Sequence, residues 1–258
     1  MKITFCTKSE IDGMVINRSE EFLSRIAAPE IFVVKEFYDP KAVLAFRQEI
    51  FEMGLSTPPS WHPLLDDCPD YHRLHDNYPN AHVKSKMHGF YFHGWYEQNA
   101  RLFDHFYEIF RLKCLLAGLE NSRSLRNLPS QGFVARVNFQ NYPRGGGHIC
   151  EHVDPHSQFA LIQTLVQASE PFRDFNSGGL FARAAQGAEK IFLDYHTAPG
   201  DLLILSPAIP HGVDPVDNGA DYDWRINSGK WTILPLFVAS DYPAVQAVKP
   251  REIHARKG

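Results

Sequence analysis

From Phe133 onward the chain reads as short β-rich runs cut apart by Gly, Pro and Asp, and this texture limits its possible folds more than any other feature. Eight runs stand out: Phe133–Tyr142, Ile149–Asp154, Phe159–Ala168, Gly179–Ala182, Lys190–Asp194, Asp201–Leu205, Gly212–Val216 and Trp231–Ala239. Many short strands with closely spaced turn residues predict a sandwich or a jelly roll.

The first half has a different pattern. Ser19–Leu23 can open a short helix, and Ile31–Val34 reads as a strand. Asp39-Pro40 is a helix start, with Asp as N-cap and Pro at the first helical position. Val43, Leu44, Phe46, Ile50 and Phe51 then keep helical spacing to about Gly54. From Tyr96 to Gly118 a second stripe runs through Leu102, Phe103, Phe106, Ile109, Phe110, Cys114 and Leu115, and Gly118 suits its C-terminal end. A helix with such a face needs an apolar partner. The expected fold is therefore α+β: a jelly-roll core (double-stranded β-helix, cupin-like) over residues 131–240, with the helices and loops of 1–130 packed on it. Residues 241–258 read as a tail, and the 258 residues as a single domain.

Between these parts, residues 55–82 carry Pro58, Pro59, Pro63, Pro69 and Pro79 among Trp61, His62, His72, His75 and Tyr78. A connection this long reads as a lid or binding loop, and its aromatic content argues against disorder. The formal charge of -4 supplies no general basic field, so nucleic acid and anionic membranes are poor partners. Cys6, Cys68, Cys114 and Cys150 are scattered and form no C-x-x-C, which points to reduced thiols inside a cell. Met1–Gly13 holds Lys2, Lys8, Glu10 and Asp12 and lacks the apolar stretch of a signal peptide. The expectation is a cytoplasmic protein with no membrane span.

The chemistry-bearing residues lie in the β half. His152 and Asp154, two apart on an extended strand, point the same way. A third ligand from another strand, His211, would complete a set of two histidines and one carboxylate that leaves coordination positions open, as in non-haem Fe(II) oxygenases. Around these residues stand Tyr142-Pro143-Arg144-Gly145, then Gly178-Gly179-Leu180, then Pro199-Gly200-Asp201-Leu202, then His211-Gly212-Val213-Asp214-Pro215-Val216. In this order the motifs resemble the Fe(II)/2-oxoglutarate-dependent dioxygenases, particularly the compact prolyl-hydroxylase-like group. The resemblance covers residues 133–238.

The resemblance implies Fe(II) held by His152, Asp154 and His211, with 2-oxoglutarate and O2 as cosubstrates. It implies decarboxylation of 2-oxoglutarate to succinate and carbon dioxide, coupled to oxidation of a substrate C–H bond, by default hydroxylation. A carboxylate at 154 argues against halogenation, because halogenating relatives carry a small residue there. The far carboxylate of 2-oxoglutarate needs a buried cation, which the family places near the start of the last core strand. Arg225 suits by residue type, since a guanidinium pairs with a carboxylate through two bonds. Lys230 suits by strand register, with Thr232 on the same face able to donate a hydroxyl. Both are carried, Lys230 first.

Other features have plainer readings. His148 and His156 flank the motif as pocket-edge or surface histidines. Gly145-Gly146-Gly147 is a hairpin connection, because no helix follows to make it a phosphate loop. His72, His75, His82, His88 and His93 match no common zinc spacing, although one or two of them, with Arg73 or Trp61, can line a substrate pocket. Size and the lack of a basic groove favour a small-molecule substrate. The alternative is a cupin-like metal-dependent isomerase or sugar-binding protein without 2-oxoglutarate turnover.

Overall fold

The computed structural model describes residues 1–76, 81 and 83–242. The tail from 243 and the residues Tyr78, Pro79 and His82 lie outside the described residues. Lys2–Cys6 (β1) is followed by two helices, Lys8–Asn17 (α1) and Ser19–Ala27 (α2), and by Glu30–Val34 (β2). Thr7 and Glu10 form a reciprocal capping box at the start of α1. Pro40–Ser56 (α3) opens as its sequence predicts: Asp39 accepts from the Lys41 N–H at 3.0 Å, and Pro40 sits in the first turn. Then come Tyr71–Leu74 (β3), Ser85–Lys86 (β4) and His88–His93 (β5). Three helices follow, Ala100–His105 (α4), Tyr107–Ala117 (α5) and Asn121–Ser124 (α6). The β half runs Phe133–Tyr142 (β6), Gly147–His152 (β7), Gln163–Gln167 (β8), Gly179–Ala182 (β9), Ile191–Phe192 (β10), Leu202–Leu205 (β11), His211–Val216 (β12) and Lys230–Ala239 (β13).

Two sheets result, of order β1-β2-β11-β8-β13-β6-β5-β3 and β10-β9-β12-β7-β4. Only β1 and β2 pair in parallel among the described strands. Alternation along β13 shows how the layers stack. Trp231, Ile233 and Phe237 face the helices, in one apolar cluster with Phe46, Phe106 and Phe110. Leu234 faces the other way, in a second cluster where Leu165 and Leu203 of the large sheet meet Leu180 and Val213 of the small one. The order is helices, large sheet, small sheet. The helical layer docks through Phe106, Ile109, Phe110 and Leu112, each 0 % exposed; full burial of such side chains stabilises by about 1.5–3 kcal/mol apiece.

The differences from the sequence reading have local causes. The 96–118 helix is a 3-10 turn, α4 and α5 in succession, and Leu115 is 49% exposed because at 3.6 residues per turn it falls on the side of α5 away from Ile109 and Phe110. Gly118 does end it, in the left-handed conformation at φ 64. The 55–82 stretch is not all loop, since β3 pairs with β5 as the edge of the large sheet. The strand expected to reach Asp154 ends at His152. The run at 190–194 pairs for two residues and then turns into a 3-10 helix over Leu193–His196. Among the described residues no helix is long and apolar enough to cross a membrane, and the four cysteines are unpaired.

Candidate metal centre and the adjoining cavity

His152 closes β7 and His211 opens β12, and the antiparallel pairing makes them Cα partners with rings 4.5 Å apart. Asp154 arrives differently from the alternating-strand argument. It lies two residues past the end of β7, where its N–H is held 2.9 Å from the Pro207 carbonyl. That bond folds the carboxylate back between the histidines, with Oδ1 at 3.6 Å from His152 Nε2 and Oδ2 at 3.3 Å from His211 Nε2. One ligand atom from each of the three lies within 4.8 Å of the others, the only such grouping among the described residues.

Backbone carbonyls orient both imidazoles. His152 Nδ1 lies 2.8 Å from the Cys150 carbonyl, and His211 Nδ1 lies 2.8 Å from the Ile209 carbonyl. A carbonyl accepts only, so each Nδ1 carries hydrogen, and the neutral form of each ring has its Nε2 lone pair free to face a metal. Gln163 Nε2 donates to Asp154 Oδ2 and orients the carboxylate. Burial pushes the Asp154 carboxyl up, but the two imidazoles outweigh it and hold the group well below the usual carboxylate range. Burial likewise lowers His211, and the hydrogen bond and charge of Asp154 reverse this, so its pKa is raised. Three such groups converging, two of them imidazoles set to donate lone pairs, suit a divalent transition metal.

The two cation candidates are separated. Arg225 has its side chain 82% exposed and clasped by Asp223 at 2.9 Å. Lys230 is 0% exposed at the start of β13, 2.5 Å from Asp194 and hydrogen-bonded to Gln167. Asp194 also accepts from the Leu180 N–H at 2.6 Å. Thr232 shares the inner face with Lys230, and its Oγ1 is buried without a partner among the described residues, as is Gln167 Nε2. His148 is half-buried against the Gly146 carbonyl and His156 is exposed.

A cavity of about 500 Å³ opens beside Asp154. Among the described residues of the proline-rich stretch, Arg73, His75 and Ala81 line it, whereas Trp61 is 49% exposed and does not. His72 and His88 pack as buried rings on Phe90, and His93 sits between Asp70 and Trp95. Burial lowers His75 and His88 to about 3, so both are neutral at ordinary pH.

Two cavity residues escaped the sequence reading. Lys113 is 3% exposed, and its Nζ donates to the Ile162 carbonyl at 2.8 Å. Burial pushes its pKa down to about 7, and Asp154 partly restores it. The signal was its position, since it stands three and four residues after Phe110 and Ile109, on the apolar face of α5. Arg136 was legible as the first of Arg136, Asn138, Gln140 and Tyr142, a polar row alternating with Val137 and Phe139.

No protein-family model matches the chain, and no curated protein matches it. Solved structures do. Neurospora crassa T7H, in complex with alpha-KG and thymine, aligns at a TM-score of 0.55 and 10% identity over 93% of this chain and 85% of that one. A prolyl hydroxylase from Trichoplax adhaerens, in complex with a hypoxia inducible factor oxygen degradation domain peptide fragment, aligns at 0.50 and 13% over 93% and 96%. At these identities the likeness is one of fold.

Proposed function

We propose that this chain, sharing the fold of those oxygenases, is an Fe(II)- and 2-oxoglutarate-dependent oxygenase that hydroxylates an unactivated C–H bond of a small molecule. The observation that carries the reading is the convergence of His152, Asp154 and His211 beside a cavity of ligand size. In this reading the facing sheets are a double-stranded β-helix, residues 1–130 support it within one domain, and the setting is cytoplasmic. Iron with 2-oxoglutarate and O2 would supply the oxidising power, while succinate and carbon dioxide leave. The chain supplies positioning: Nε2 of each histidine and the carboxylate of Asp154 hold the metal, and Gln163 keeps Asp154 turned toward it.

Lys230 is the better anchor for the far carboxylate of 2-oxoglutarate. It is buried, whereas Arg225 faces solvent on Asp223. The unpartnered Thr232 Oγ1 and Gln167 Nε2 are donors such a carboxylate would satisfy. Asp194 already compensates the Lys230 charge, so the incoming group would be a second acceptor there. That same pairing favours a second reading, a cupin-like metal-dependent isomerase or sugar-binding protein in which Lys230–Asp194 is structural and 2-oxoglutarate has no place.

Anaerobic titration with Fe(II) and then 2-oxoglutarate separates the two. A weak visible charge-transfer band requiring both components supports the oxygenase, and succinate formation should vanish in His211→Ala. Fe(II) binding without that band moves the second reading to first place.

A further inference from the structure

Among the described residues, cationic side chains outnumber carboxylates on the cavity wall. Its cationic residues are Arg73, Lys113 and Arg136, and Asp154 is its one carboxylate among the described residues. Arg73 donates to His75 at 3.0 Å and to the Tyr91 hydroxyl at 3.4 Å. Arg136 lies over the same Tyr91 ring, 4.9 Å from its centroid, and makes no ion pair among the described residues. Its Nε is buried with no hydrogen-bond partner among the described residues. Two residues along the same face, Asn138 is 3% exposed and leaves its Oδ1 unpartnered among the described residues. Buried polar groups are nearly always satisfied, so these two orphans on one wall point to a ligand.

Metal and cosubstrate do not account for Arg136. In the β6–β13 ladder Arg136 stands opposite Leu236, six residues beyond Lys230. At strand rise that is roughly 20 Å along the sheet, so Lys230 and Arg136 stand far apart on the inner face. Between them the wall is mixed, with Leu234, Leu236, Phe159 and Ile162 apolar and Asn138 and Gln140 of β6 polar.

We propose that the cavity takes a small organic acid, with its carboxylate on the guanidinium of Arg136 and its apolar body directed toward Asp154. The planar guanidinium offers Nε–H and an Nη–H as a paired donor edge that matches a carboxylate through two bonds. Arg73 adds positive potential from β3, and Lys113 does so from α5 when protonated. Asn138 accepts from a hydroxyl or amide N–H carried near the acid. The inference rests on the oxygenase reading for what happens at the metal, and on the cavity alone for what binds.

The test is equilibrium binding, by calorimetry and saturation-transfer NMR, of hexanoate, phenylacetate and N-acetylleucine, each beside its amide, with hexyl phosphate as a further arm. The full chain is used both metal-free and loaded with Fe(II) and 2-oxoglutarate under nitrogen. The expected result is binding of the acids at least about tenfold tighter than of the amides. Arg136→Met should lose about 10- to 100-fold of that affinity, and Arg136→Lys should restore part of it. The affinity for 2-oxoglutarate, read from the charge-transfer band, should stay within about twofold. Amides binding as well as acids would overturn the proposal, as would no acid binding at about 10 mM. So would an Arg136→Met variant, folded by circular dichroism, that keeps its acid affinity or weakens 2-oxoglutarate instead. Tighter binding of hexyl phosphate than of hexanoate would overturn the carboxylate assignment. Acid binding that survives where no charge-transfer band forms supports the proposal and sinks only the oxygenase reading.

Discussion

Replacing Lys113 by Met should make the metal-free protein more stable at neutral pH, although it removes a hydrogen bond. Lys113 titrates at 10.5 in its ordinary state and is pushed down to about 7 by burial in the fold. Between those values the unfolded chain binds more protons than the folded one. Its contribution to stability is therefore fully present above 10.5 and is lost as the pH falls toward 7. Relative to an unshifted lysine the cost is roughly 4 kcal/mol at pH 7 and about 1 kcal/mol at pH 10. Methionine fills a similar volume without a charge, but it leaves the Ile162 carbonyl without its 2.8 Å donor, a loss of about 1–2 kcal/mol. The net expectation is a gain of about 2–3 kcal/mol at pH 7 that fades to nothing or reverses by pH 10. Urea unfolding of both proteins at the two pH values measures it. A variant destabilised at pH 7, or a difference independent of pH, would refute the claim that a desolvated cation sits in this wall.

Three further outcomes are expected. Lys230→Met should destabilise by roughly 3–5 kcal/mol, because it strands Asp194 as a buried charge, and Lys230→Met with Asp194→Asn should recover most of the loss in denaturant melts. Arg225→Ala should leave the denaturant melt and 2-oxoglutarate binding unchanged, since its side chain is exposed. Glu30 is held at about 2 chiefly by the hydrogen bonds of Arg25, against the effect of burial, and then by Thr4 and Lys2. That stability is present above pH 4.5 and is lost as the pH falls toward 2, so Glu30→Gln should flatten the acid limb of the stability curve, by at most about 3 kcal/mol.

Much of this molecule follows from local pattern. The alternation in Phe133–Tyr142 and Lys230–Ala239 marks two strands whose register later pairs every residue of one with one of the other. The cap at Asp39 and the glycine at 118 are set by conformational preferences of a few neighbouring residues. The residues His152, Asp154 and His211 were visible as candidates because their spacing to proline and glycine turns is itself local information. Their convergence was not: Asp154 reaches the histidines through a bond to Pro207, more than fifty residues away, where the strand argument expected continuous β structure.

Tertiary structure alone decided which charges are buried. Arg225 and Lys230 are five residues apart, yet one is clasped in solvent by Asp223 and the other is sealed against Asp194. The free energy of a charge depends on how much water is removed from it and on what faces it across the fold. Those quantities are set by sheet order and helix docking, which no neighbouring residue encodes. Lys113 on α5 and Arg136 on β6 carry only a positional signal in the sequence, and it is packing that turns both toward one cavity.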